Sequence, residues 1–129
     1  MNIDLILKGG TVINQDGSGV RDIAVSQGRI VGIGSGFKGA EVLDCRNLHI
    51  LPGVIDSQVH FREPGPTHKE DLETGSRAAV MGGVTAVFEM PNTNPTTTSA
   101  AALADKVSRA KHCMFCDFAF YVGRSESTV

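Results

Sequence analysis

LPGVIDSQVHFREPG, residues 51–65, is the stretch at which the pattern of this chain changes. Before it lie short apolar runs broken by turn signals: DLILKGGTVIN, DGSG, RDIAVSQGRIVGIGSG and AEVLDCRNLHILPG. Asp16-Gly17 and Gln27-Gly28 predict tight turns, and the pairs Ile23/Val25 and Val31/Ile33 flank the second turn with strand alternation. Residues 1–52 are therefore expected to form a β-sheet layer, half of a β-sandwich, because so few strands can bury only one face.

After Pro52-Gly53 the reading becomes strands alternating with helices, the signature of a parallel sheet built from βα units. VIDSQVHF (54–61) is the first expected strand. Thr67 with Glu70 three residues on predicts a capping box that opens a helix, whose buried face would carry Leu72, Ser76, Ala79 and Val80. Gly82-Gly83 would stop it. VTAVFEM (84–90) is a nearly continuous apolar run, as a strand covered on both faces should be. A second helix is expected over 100–111, capped by Thr98 or Ser99 with Leu103 and Val107 on one face, and DFAFYV (117–122) is a third strand. The fold class is α/β: a β-sandwich segment over 1–52, then the first three βα units of a (β/α)8 TIM-like barrel over 53–129, incomplete in this chain. Three such strands would leave an apolar edge, so the expectation is a fragment or a chain that needs a partner.

Composition narrows the function classes. With 129 residues, a net charge of −2, 20% charged residues and 41% hydrophobic ones, neither disorder nor a polyanionic partner is indicated. Aromatic residues are 5% with no Trp, which argues against base stacking and hence against nucleic acid. Three cysteines and a start without a secretory signal point to a reduced, cytoplasmic protein, and no run approaches the ~20 apolar residues that cross a bilayer.

Positions two apart on a strand share a face, so Gln58, His60 and Arg62 are expected to point together near the C-terminal end of the first α/β strand, where barrel enzymes keep their chemistry. His112, Cys113 and Cys116 in HCMFC raise a zinc-knuckle reading, but one Cys-x-x-Cys without a second pair reads better as small side chains at a helix-to-strand junction. Cys45 has no partner in the β-layer, His49 and His68 read as structural or solvent-facing, and GSGFKG lacks the Lys-Ser/Thr of a phosphate loop.

LPGVIDSQVHFREPG, THKEDLETGSRAAVMGGVTAVFEMPNTNP and DFAFYVG together resemble the dihydroorotases of the cyclic amidohydrolase family, in order and spacing, over nearly the whole chain. Allantoinases and dihydropyrimidinases share much of this frame, but HKEDLETG and MPNTNP look more like dihydroorotase than either. The resemblance implies a zinc-dependent, reversible cyclisation of N-carbamoyl-L-aspartate to dihydroorotate in pyrimidine biosynthesis, with a small-molecule substrate and no membrane. It implies that His60 is a Zn2+ ligand, with Gln58 standing where the family has the other first-strand histidine, and that Arg62 and Asn92 bind substrate. The acid/base Asp and the remaining ligands are expected after Val129, so the isolated 129 residues are expected to be inactive. Because an amide is a poor substitute for imidazole on zinc, a catalytically silent relative serving as a structural partner of aspartate transcarbamoylase stands beside the enzyme, and the shared frame leaves another cyclic amidohydrolase such as an allantoinase as a second alternative. A homo-oligomer is also compatible.

Overall fold

The structure, a computed structural model, describes residues 2–39 and 41–124. The chain divides into two compact units, Met1–Pro52 and Gly53–Val129.

In the first unit, β1 (Leu5–Asn14), β2 (Gly17–Ser26), β3 (Arg29–Gly34), β4 (Glu41–Asp44) and β5 (His49–Ile50) make one mixed sheet. Its order is β3-β2-β1-β4, and β5 also pairs with β1. β1, β2 and β3 form an antiparallel meander, whereas β4 and β5 run parallel to β1. The β2–β3 hairpin closes through Gln27 and Gly28, with φ of 51° and 71°. Two left-handed residues in a row match the right-handed twist of the strands they join. Ile23 faces Ile33, but a bulge after Ala24 sets Val25 opposite Ile30, so Val31 is drawn out of the expected alternation. A second irregularity, between Leu7 and Gly10, is where β5 arrives. There a Cβ on Gly10 would lie 2.5 Å from Ile50 Cδ1, so any larger residue would have to displace the Ile50 side chain. Ile6, Val12, Ile23, Ala24 and Cys45 are buried, while Val20, Ile30, Val42 and Leu43 are exposed. The second layer that a sandwich would need is not formed by the described residues of this unit.

In the second unit, β6 (Val54–Val59), α1 (Leu72–Met81), β7 (Val84–Glu89), α2 (Ala100–Ala110) and β8 (Asp117–Phe120) alternate along the chain. The three strands are parallel and lie in the order β6-β7-β8. Each helix therefore carries the chain to the next neighbouring strand in one direction.

Three local expectations need correcting. The first strand ends at Val59, not at residue 61, because Met90 N donates to Val59 O (3.0 Å) and closes the last rung before the chain turns away. His60 and Arg62 thus lie on the following loop, where strand alternation does not set their direction. The helix opens at Asp71, not at Thr67. Asp71 Oδ1 accepts from Thr74 N (2.8 Å), and Asp71 N donates to Thr74 Oγ1 (3.2 Å), a complete capping box four residues downstream of the expected one. Glu63 fixes this choice, since its Oε2 accepts from Leu72 N (3.1 Å). The buried face of α1 is Leu72, Gly75 and Ser76, with Val80 and Met81 turned out to solvent. A Cβ on Gly75 would lie 2.7 Å from Phe61 Cδ1, so the helix packs its N-terminal half closely on that ring. α2 is capped by Ser99, whose Oγ accepts from Ala102 N (3.2 Å), and it buries Lys106 and Ala110 with Leu103 and Val107 half-buried. Among the described residues no helix is long and apolar enough to cross a membrane.

Candidate functional site

The loops after β6 and β7 leave the same end of the sheet, because parallel strands share a direction. They are tied together along their length. Asn94 N donates to Pro64 O (3.0 Å), and Thr97 N turns back to Pro91 O (2.9 Å). The segment after β8 joins them through Gly123 N to Thr97 O (2.8 Å). Thr93 and Thr97 are buried beneath this lattice, with Thr93 Oγ1 donating to Pro95 O (2.9 Å).

At the centre of this end His60 and Asn92 meet: Nδ1 of the imidazole lies 2.8 Å from Oδ1 of the amide. An amide oxygen can only accept, so the neutral ring carries its proton on Nδ1 and leaves the Nε2 lone pair available. Metal-binding histidines are commonly held in this way, one nitrogen fixed by a neighbour and the other free for the ion. Asn92 keeps its NH2 group for a second partner. Arg62 is exposed and makes no ion pair among the described residues. Gln58, also exposed, is on β6, and its backbone N–H donates to Asp56 Oδ1 (3.0 Å). Of the four residues singled out from the sequence, the structure brings His60 and Asn92 into contact.

The donor chemistry of His60 suits a metal, but the number of donors does not suffice. Among the described residues no three His, Cys, Asp or Glu side chains gather as a metal site, whereas zinc takes three or four protein ligands. These residues supply one donor of such a site and not the site. Cys113 and Cys116 are free thiols pushed up in pKa by burial, and Cys113 Sγ donates to Arg109 O (3.2 Å), which fits a packed junction. His68 precedes α1 in an exposed turn, and His49 is exposed on β5.

Two residues at this end went unread in the sequence. Glu89, the last residue of β7, and Lys106 of α2 are both fully buried, with Lys106 Nζ 3.0 Å from Glu89 Oε2. The ammonium lies off the direction of a well-aligned hydrogen bond to either carboxylate oxygen. It also reaches Met90 O (3.5 Å) and sits over the Phe120 ring, 5.2 Å from its centroid. Burial pushes the Glu89 carboxyl up to about 7, against the pull of Lys106. The available signal was a carboxylate inside an otherwise apolar strand, which has to find a cation. Glu63 is a third: besides taking Leu72 N it faces Arg109 Nη1 (3.4 Å), so it joins the first loop to both helices.

Comparison with known proteins adds four findings. Residues 49–127 match the Amidohydrolase family. The chain is 44% identical over 121 residues to allantoinase of Escherichia coli K12, an alignment covering 92% of this chain and 27% of the relative. It is similar in structure to the L-hydantoinase (dihydropyrimidinase) of Arthrobacter aurescens, with a TM-score of 0.79 and 29% identity over 94% of this chain and 28% of that one. The D-hydantoinase (dihydropyrimidinase) of a Thermus species gives a TM-score of 0.74 and 29% identity over 96% and 29%. The chain thus spans little more than a quarter of the length of the relatives it matches.

Proposed function

Since the chain belongs to the amidohydrolase family, we propose that it takes part in the hydrolytic opening of a ring amide in a small cyclic ureide. The observation that carries this reading is the His60–Asn92 hydrogen bond at the C-terminal ends of adjacent parallel strands. It fixes an imidazole with a free Nε2 beside an amide whose N–H groups can meet a substrate carbonyl. His60 is read as one ligand of a Zn2+ centre whose other ligands lie outside the described residues. Zinc, when bound, lowers the pKa of a coordinated water toward neutrality and polarises an amide carbonyl. Gln58, at the place of a second first-strand ligand, offers a neutral amide and weakens the hold on the ion.

Allantoin is the first substrate to test, on the strength of 44% identity to an allantoinase. A specific observation keeps dihydroorotate as the second reading. Arg62 is an exposed cation with no ion pair among the described residues, and its planar fork suits the carboxylate that dihydroorotate carries and allantoin lacks. The silent relative with aspartate transcarbamoylase as partner rests on Gln58 alone among the described residues. The test follows ring opening of both compounds by the complete product of the gene, with Arg62→Gln in parallel. Turnover of allantoin that survives Arg62→Gln supports the first reading. Turnover of dihydroorotate alone, with KM raised by Arg62→Gln, moves the assignment to the second. Inactivity on both, with zinc supplied, would sink the proposal.

A further inference from the structure

The fully buried lysine of α2 lies under the strand end that carries Asn92, and no role in substrate or metal contact accounts for it. Met90 is held from two sides. Its N–H donates to Val59 O (3.0 Å), the residue before His60, and its carbonyl faces Lys106 Nζ (3.5 Å). Glu89, one residue earlier, lies 3.0 Å from the same ammonium, and its own carbonyl accepts from Tyr121 N (2.9 Å). One buried cation thus meets both the last residue of β7 and the peptide that follows it. Asn92 comes two residues later and His60 one residue after Val59, so the Met90 peptide sets the offset between the two loops.

We infer that Lys106 is a positioning residue: by holding the Met90 carbonyl against Glu89 it places Asn92 Oδ1 on His60 Nδ1, and so determines which ring nitrogen of His60 is left free. The inference rests on the reading of His60 and Asn92 as site residues, but its test reads the imidazole and not turnover. The full chain, labelled with 15N-histidine, is examined by long-range proton–nitrogen correlation, and His60→Gln assigns the resonances. The wild type is expected to carry the His60 proton on Nδ1. Lys106→Met is expected to give a mixture of the two tautomers. Glu89→Gln/Lys106→Met removes both charges, so that the fold is not burdened by a buried unpaired ion, and is expected to give the same mixture. Leu72→Ala, which destabilises the same unit through α1, is expected to leave the proton on Nδ1.

The inference is overturned if the double variant keeps the wild-type tautomer, if Leu72→Ala scrambles it equally, or if the wild-type proton is on Nε2. A complete gene product that shows the expected tautomers but, with zinc supplied, opens no ring would overturn the proposed hydrolysis and leave the role of Lys106 standing.

Discussion

Glu89 has both carboxylate oxygens buried, with no well-aligned hydrogen bond to either, and its ion-pair partner among the described residues is Lys106 at 3.0 Å. Removing one member of a buried pair strands the other, at a cost of about 3–5 kcal/mol, whereas replacing both by apolar groups of similar size is often neutral. Lys106→Ala is therefore expected to lower the unfolding free energy by about that amount in denaturant titrations, with Glu89→Leu/Lys106→Leu recovering most of it. Failure of the double variant to recover would show that the pair does more than satisfy itself. On the site side, Asn92→Ala removes the partner that orients His60. A loss of about 10–100-fold in zinc affinity or turnover is expected, read by metal titration and initial rates. At this scale His60 is legible as a histidine near the end of an expected strand, whereas Asn92 is reached only through the resemblance to a family. Lys106 could not be found, because a lysine on a helix is nearly always solvated and the strand residue that buries it is 17 positions away.

Helix α1 shows how local signals compete. Two capping patterns overlap, Thr67 with Glu70 and Asp71 with Thr74, and either could open the helix. Glu63 decides by taking the N–H of Leu72, a contact across nine residues that no short pattern contains. The backbone N–H of Thr74 holds the Asp71 carboxyl below its ordinary value of 3.8. A depressed folded pKa means that the cap's contribution is complete above the ordinary value and is lost as pH falls through the folded one. Thermal melts from about pH 5 to pH 2 should therefore show part of their acid loss disappear in Asp71→Asn, which keeps an acceptor without the titration. An unchanged slope would remove Asp71 from the acid response. Leu72 is fully buried, so Leu72→Ala should cost about 2–5 kcal/mol by the same denaturant measurement. The existence of both helices and of the β6 and β7 runs was legible from period and composition. Their ends were not, since tertiary hydrogen bonds set them.

For the whole molecule, the sequential parallel order β6-β7-β8 is what successive βα units produce when they wind in one direction. Parallel strands are normally covered on both faces, yet Val54 and Ile55 of β6 are 52% and 63% exposed. That surface fits a sheet continued or covered by further elements, in keeping with relatives of which this chain spans 27%. Three parallel strands in sequential order are common to open sheets and to closed barrels, so the expected barrel rests on the resemblance. The donor count leads to the same expectation. With one imidazole offered to the metal, the isolated 129 residues should open no cyclic amide, and detectable turnover by them would refute the ligand assignment.

The most direct test of the central claim compares wild type and His60→Ala of the complete gene product, with zinc content and ring-opening rate read from the same sample. Loss of both zinc and turnover in the variant is the expected result. A variant that keeps its zinc and opens the ring at the wild-type rate would contradict the claim that His60, held by Asn92, belongs to the reacting site.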